Sequence, residues 1–225
     1  MNSVRSWLTS WRGVAVLAFV AVVSVVTALL VGHSPSGALA SASSASEHPP
    51  GLQGIIQSPV VAKPNFTLTD TSGQPFNLRT DTAGYVTLLY FGYTHCPDVC
   101  PTQMADMAIG LSKVSAAVRS RVKVVFVTTD PDRDTPAVIR NWLNAFSRSF
   151  IGLTGTKAQI DAAVASVGMP PAIIESTPGS NDYAVDHLAY VLAFTTDNQA
   201  HVLYPAGVTA SVWTHDLPRL VKDWT

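Results

Sequence analysis

Two apolar segments that are predicted to be buried strands constrain the fold of this chain more than any other feature. Residues 85–92, "YVTLLYFG", form a continuous apolar run that is typical of a buried central strand, and residues 122–130, "VKVVFVTTD", predict a second buried strand. Between them, residues 98–119 carry apolar side chains at helical spacing, among them Met104 and Met107. A strand, a helix and a second buried strand predict an α/β fold.

Further patterns on both sides of this unit predict hairpins and helices. The predicted hairpins are 66–70 with 75–78 and 189–197 with 200–205, residues 150–155 form a short strand or loop, and the predicted helices are 134–146, 156–168 and Thr209 to Trp224. Asp134 or Thr135 is the expected N-cap of the helix at 134–146, with Pro136 at its first position. The order of elements, with a terminal hairpin and helix, predicts a thioredoxin-like α/β fold.

The N-terminal segment is predicted to anchor the chain in a membrane. Residues 13–32 contain no charged side chain, and a helix of that length spans roughly 30 Å, the thickness of a bilayer core. Arg5 and Arg12 precede it without any acidic residue, which keeps the N-terminus in the cytoplasm. A cleaved signal peptide is the alternative, with an A-x-A-like site at 38–40, although the apolar run is longer than usual. Either interpretation places the remainder outside the cytoplasm, in an oxidising compartment.

Composition divides the chain into three parts. Residues 1–32 are the cytoplasmic N-terminus and the membrane anchor. Residues 33–64 are rich in Ser, Ala, Pro and Gly and predict a flexible linker, so the folded domain is expected at 65–225. The formal net charge is −1 and the sequence contains no cluster of Lys and Arg. A nucleic-acid partner is therefore not expected.

Both cysteines lie in the stretch "GYTHCPDVCP" (92–101), with three residues between them. A structural disulfide is one interpretation, but closing so short a loop contributes only about 2 kcal/mol, against ~4–5 kcal/mol for a hundred-residue loop. A redox couple is the second, because a helix N-terminus lowers the pKa of a nearby thiol. A metal site is the third, because two thiolates one turn apart form half of a zinc or copper site.

A metal site would need a third ligand from elsewhere, and histidine is the expected type. Of the six histidines, His187 is the best placed, because it directly precedes a buried strand and has Asp186 beside it. The others lie in the predicted linker, in polar surroundings or directly beside a cysteine: His33, His48, His201, His215 and His95. A histidine at a strand edge is also a common structural residue, so spacing alone leaves its role open.

The segment "YFGYTHCPDVCPTQM" (90–104) closely resembles the signature of the Sco (SenC) family of membrane-anchored copper proteins. The resemblance covers roughly residues 52–225 and continues through "FTLTDTSGQPF" (66–76), "VFVTTDPDRDTP" (125–136), "FIGLTGT" (150–156) and "YAVDHLAYV" (183–191). It implies a thioredoxin-like domain outside the cytoplasm, held by one N-terminal helix. It also implies a copper site made of Cys96, Cys100 and His187.

The resemblance further implies delivery of copper, or thiol reduction, for the binuclear copper centre of cytochrome c oxidase. The implied partners are the copper-bearing subunit of the oxidase, a copper donor protein or thiol reductant, and the membrane. Two thiolates and an imidazole suit Cu(I), a weak further ligand accommodates Cu(II), and the same set would hold zinc. Cys96 and Cys100 would also be a redox-active dithiol, because their disulfide cannot bind metal. The alternative function is an exported thiol–disulfide oxidoreductase that keeps the oxidase cysteines reduced.

Two carboxylates are candidates for supporting the site. Asp134 could orient a ligand or dock the partner, and its other interpretation is the helix N-cap. Asp186 could accept a hydrogen bond from the free nitrogen of His187 and fix its tautomer. Its other interpretation is a solvated loop carboxylate. The helical spacing of Met104 and Met107 favours a core position over thioether ligation.

The sequence departs from the family pattern at Leu188, where a small hydroxyl residue is common. The segment before it, residues 168–182, is unusually rich in Pro and Gly. We expect this segment to be a loop that carries His187 into the site, so its length and mobility should affect how firmly the third ligand is held.

Overall fold

The structure is a computed structural model that describes residues 51–176 and 183–223. Three predicted parts of the chain lie outside the described residues: the anchor, residues 33–50 of the linker, and Trp224 at the end of the last helix. Within the two described ranges, no helix combines the length and the apolar character needed to cross a bilayer.

The described residues form strands and helices in the alternating order that the sequence predicts. The strands are β1 (Ile55–Ala62), β2 (Thr67–Asp70), β3 (Pro75–Asn77), β4 (Val86–Gly92), β5 (Val122–Thr128), β6 (Ile151–Thr154), β7 (Ile173–Ser176), β8 (Tyr183–Asp186), β9 (Val191–Phe194) and β10 (Gln199–Tyr204). The helices are α1 (Leu78–Asp81), α2 (Val99–Lys113), α3 (Ala116–Arg119), α4 (Pro136–Asn144), α5 (Lys157–Ala165) and α6 (Ala210–Lys222).

The main sheet has eight strands in the order β1-β10-β9-β4-β5-β6-β2-β3. Strands β4, β5 and β6 are parallel to one another, and the remaining pairings are antiparallel. Every residue of β4 is buried, which confirms that it is a central strand. The parallel unit and the terminal hairpin and helix together form the predicted thioredoxin-like α/β fold.

Helices cover both faces of this sheet and give the domain two apolar cores. Leu88 and Tyr90 of β4 point into one core, which they share with α2, α4 and α6. Leu89 and Phe91 point into the other core, which α5 covers. The alternation follows from the two-residue period of a strand. Strand β4 therefore ends between two packed layers, which hold its C-terminal end firmly.

Helix α2 is shorter than the sequence predicts. The predicted helix at 98–119 is two helices, because Val114 is extended and Ser115 caps α3 by accepting a hydrogen bond from the Val118 amide. Met104 and Met107 are fully buried in the core, which confirms the predicted packing role.

The linker prediction is wrong for residues 55–62. These residues form β1, which pairs with β10 at the edge of the sheet. Just before it, the amides of Gln53 and Gly54 donate hydrogen bonds to Asp216. Most side chains of β1 are exposed or half-buried, so the strand shows no clear hydrophobic pattern, and backbone pairing holds it in place. The folded domain thus begins before residue 65.

Part of the predicted loop at 168–182 is also a strand. Strand β7 pairs with β8 in a separate two-stranded antiparallel sheet, which we call the ribbon. Its side chains are largely exposed, with Ile173 at 62% and Ile174 at 47%. The described side chains of β7 are exposed and prolines lie close before it. The sequence therefore shows no burial pattern from which this strand could be predicted.

Candidate metal centre

The two cysteines lie where β4 passes into α2. Cys96 is half-buried in the connecting loop, and Cys100 is buried in the first turn of α2. At the end of β4, a Cβ atom added to Gly92 would lie 3.0 Å from the Cys100 sulfur and 2.8 Å from the Tyr90 ring. Only glycine permits so close an approach of the backbone to this sulfur.

The first turn of α2 directs a backbone donor at Cys96. The Asp98 side chain, at the N-cap position, makes no capping hydrogen bond. Instead, the Cys100 amide donates to the Cys96 sulfur over 3.4 Å. A sulfur at the start of a helix receives unpaired N–H groups and the positive end of the helix dipole, which favour the thiolate.

The ribbon brings His187 to the same place. His187 directly follows β8, and its Nε2 atom lies 3.5 Å from the Cys100 sulfur. One ligand atom from each of Cys96, Cys100 and His187 lies within 4.8 Å of the other two. The structure therefore brings together the three residues that the resemblance implied, although their role as ligands stays a prediction.

The two thiols differ strongly in acidity. A hydrogen bond from the Cys100 thiol, together with the backbone amides of Cys100 and Asp98, lowers the pKa of Cys96 to about 5. The same hydrogen bond to Cys96 and burial raise the pKa of Cys100 above its ordinary value. At neutral pH the pair therefore holds a half-exposed thiolate in front of a buried thiol.

We expect Cys96 in the reduced protein to react with iodoacetamide with a midpoint near pH 5, against about 8.5 for an ordinary thiol. Peptide mapping after short alkylation pulses at several pH values measures this. Cys100→Ala removes the thiol donor and should raise the midpoint. The unfolded chain serves as the control, and a midpoint for folded Cys96 equal to the unfolded one would contradict the assignment.

Two tyrosine rings surround the His187 imidazole. Tyr93 and Tyr90 meet it edge to face, with ring centroids 5.7 Å and 6.3 Å away. Tyr90 precedes Gly92 by two residues on β4, so strand periodicity alone places it on the side of Cys100. Tyr90 was not predicted as a site residue, although this periodicity could have indicated it.

The predicted hydrogen bond between Asp186 and His187 is not formed. His187 Nδ1 is buried without a hydrogen-bond partner among the described residues, whereas Asp186 is exposed at the end of β8. Successive residues of an extended chain point to opposite sides, so a carboxylate directly before His187 is poorly placed to reach its ring. Asp186 fits the alternative interpretation, a solvated carboxylate.

Asp134 is not the N-cap of α4. The Thr135 side chain caps that helix by accepting from the Val138 amide. Asp134 is fully buried and accepts hydrogen bonds from the Thr94 amide at 2.9 Å, the Thr94 hydroxyl at 2.5 Å and the Thr128 hydroxyl at 2.6 Å. It therefore fastens the loop before Cys96 to the end of β5, a supporting role for the site.

The other described histidines have partners away from the thiols. His95 lies 3.6 Å from an Asp134 oxygen, and its side chain is half exposed. His201 contacts Asp197 at 2.7 Å and His215 contacts Asp216 at 2.6 Å. His95, Asp130 and Asp134 also form a cluster of possible ligand type, but hydrogen-bond donors from the protein already occupy both carboxylates.

Comparison with known proteins identifies a family. The family model described as SCO1/SenC matches residues 56–222. A protein of Stutzerimonas stutzeri that is named for copper binding is 36% identical over 126 residues, which cover 56% of this chain. The chain spans 60% of the length of that relative.

Two solved structures share the fold over most of the described domain. The apo Sco1 protein of Thermus thermophilus is 29% identical, with a TM-score of 0.68, and the match covers 76% of this chain and 98% of that one. The copper-bound ScoI of Bradyrhizobium japonicum is 30% identical, with a TM-score of 0.61, and the match covers 72% of this chain and 99% of that one.

Proposed function

Because the chain belongs to the SCO1/SenC family, we propose that it is a copper metallochaperone that holds its cargo through Cys96, Cys100 and His187. The observation that carries the proposal is the convergence of these three side chains within 4.8 Å at the end of β4. The similar protein from Bradyrhizobium japonicum has copper bound, which supports copper as the metal.

The donor set suits a metal that must be taken up and released again. Two thiolates and one imidazole satisfy Cu(I) in a three-coordinate site, and an open side leaves room for an incoming ligand of a partner. A metal-binding imidazole is usually oriented by a hydrogen bond from its other nitrogen. Within the described ranges no residue makes this bond with His187, and a less firmly oriented ligand favours release.

The destination we propose is the binuclear copper centre of cytochrome c oxidase, the acceptor implied by the family resemblance. The proposal places the domain outside the cytoplasm, tethered to the membrane by residues 13–32. Its support is the uncharged apolar run and the preceding Arg5 and Arg12.

His187 separates the two candidate functions, because a copper site needs it and a dithiol reductase does not. We expect His187→Ala to weaken Cu(I) binding by at least ~10–100-fold, the range that loss of even an outer-shell partner produces. Competition with a Cu(I) chelator on the purified, reduced full chain measures the affinity. Transfer to a copper-free soluble domain of the oxidase subunit measures delivery.

His201→Ala is the matched control, because this histidine pairs with Asp197 away from the thiols. Its copper affinity should equal that of the wild type. Equal affinity of His187→Ala and wild type would count against the copper site and favour the reductase.

A thiol–disulfide reductase is the second candidate, favoured by the half-exposed Cys96 thiolate in front of buried Cys100. The Cys96 thiolate would attack a partner disulfide, form a mixed disulfide and release one partner thiolate. Cys100 would then attack the mixed disulfide, which releases the second partner thiol and leaves Cys96 and Cys100 oxidised. A thiol reductant would then reduce the Cys96–Cys100 disulfide again.

Cys100→Ser should trap the mixed disulfide, which mass spectrometry detects.

A further inference from the structure

We propose that Asp130, Arg133 and Tyr183 form a clamp that positions His187 for copper. The clamp joins the loop after β5 to the ribbon that carries the histidine. The copper part of this inference rests on the proposed function, whereas its structural part concerns the metal-free protein and can be tested alone.

The ribbon needs such an attachment. Strands β7 and β8 pair with each other and form no ladder with the main sheet. Backbone pairing therefore does not fix the ribbon on the domain, and side-chain contacts must do so. Val185 supplies an apolar contact, since it is buried in the core, but the neighbouring Ala184 and Asp186 are exposed.

The clamp holds Tyr183 at the start of β8, four residues before His187. The Tyr183 hydroxyl donates to Asp130 Oδ1 over 2.7 Å, and Arg133 Nη1 donates to the Tyr183 carbonyl over 3.1 Å. The Arg133 guanidinium also lies over the Tyr183 ring at 3.6 Å. Arg133 Nε in turn donates to Asp130 Oδ2, so each of the three residues contacts the other two.

The loop side of the clamp is held firmly. Asp130 is 2% exposed, and its amide donates to the Thr128 hydroxyl oxygen over 2.9 Å. The Thr128 hydroxyl donates to Asp134, which also binds Thr94 in the loop before Cys96. The same loop after β5 thus supports the cysteine side of the site through Asp134 and the histidine side through Asp130 and Arg133.

His187 depends on the position of the ribbon because its backbone directly follows β8. Its Nδ1 atom has no hydrogen-bond partner among the described residues, so its ring is oriented only by the edge contacts with Tyr90 and Tyr93 and by the 3.5 Å approach of Nε2 to the Cys100 sulfur in the described part of the chain. A ligand held by its backbone is displaced when that backbone moves, and about 1 Å is enough to impair a site. Asp130, Arg133 and Tyr183 are therefore positioning residues, which act on copper through His187.

Tyr183→Phe tests the clamp with little risk to folding, because it removes only the hydroxyl and keeps the ring under Arg133. We expect its Cu(I) affinity to fall about 10-fold, as for loss of an outer-shell partner. In the His187→Ala background, Tyr183→Phe should have no further effect. Tyr85→Phe is the matched control, because Tyr85 contacts Lys123 rather than the ribbon, and its copper affinity should equal that of wild type.

Backbone amide exchange of the reduced, metal-free full chain gives a second measurement. We expect Tyr183→Phe to accelerate exchange in β7 and β8 and to leave β4 and β5 unchanged. Wild-type copper affinity in Tyr183→Phe, or an equal loss with and without His187, would overturn the positioning role. If the wild type binds no copper, the proposed function fails, and unchanged ribbon exchange would then overturn the clamp by itself.

Discussion

Replacing both cysteines, as Cys96→Ser/Cys100→Ser, is expected to abolish tight copper binding by this chain. The two sulfurs are the soft ligands that Cu(I) prefers, and a serine hydroxyl offers a hard, neutral oxygen instead. The loss should exceed the ~100-fold that marks the upper range for outer-shell partners. Only His187 would then remain of the three converging side chains.

Chelator competition on the reduced full chain measures this effect, and circular dichroism shows whether the variant is folded. Met104→Leu is the matched control. The Met104 thioether, on α2, is fully buried in the apolar core of the domain, and a change to Leu conserves volume. It should bind copper like the wild type. Tight binding by the double serine variant would exclude the cysteines as the main ligands.

Asp216→Ala is expected to destabilise the domain by about 2–4 kcal/mol, because several hydrogen-bond donors lose their acceptor and each buried unsatisfied donor costs about 1–3 kcal/mol. Asp216 is fully buried. It accepts hydrogen bonds from the Gln53 and Gly54 amides and from the Tyr204 hydroxyl, and it contacts His215 Nδ1. Removal of the carboxylate would leave the two amides and the tyrosine hydroxyl without their acceptor. The same change would detach residues 53–54 from α6.

Denaturant unfolding with and without the substitution measures the free energy difference. Asp223→Ala, at the exposed end of the same helix, is the matched control and should change stability by less than ~0.5 kcal/mol. Equal stabilities of Asp216→Ala and the control would show that the buried carboxylate does not hold the N-terminal part of the domain.

The central part of the fold could be predicted because burial leaves a clear pattern there. Residues 86–92 are all buried, so their sequence is apolar apart from Thr87. Strand β1 and the ribbon strand β7 could not be predicted in this way. They lie at an edge or outside the main sheet, and their stability comes from backbone pairing and from a few contacts that leave no periodic signal.

The spacing of residues in the sequence could predict only part of the candidate site. Cys96 and Cys100 lie one helical turn apart, so their short separation alone predicts that the two sulfurs lie close together. His187 is 87 positions from Cys100, and nothing in its neighbourhood distinguishes a ligand from a structural histidine. The family resemblance was therefore needed to select it. The partners of Asp134 and Asp130 could not be predicted for the same reason, because Thr94 and Tyr183 are distant from them in sequence.

The most direct test of the proposed copper site is X-ray absorption spectroscopy at the copper edge, on the reduced full chain loaded with one equivalent of Cu(I). We expect two sulfur scatterers and one imidazole around the copper, with the imidazole signal absent in His187→Ala. A copper environment without imidazole in the wild type, or one that His187→Ala leaves unchanged, would contradict the proposed site of Cys96, Cys100 and His187.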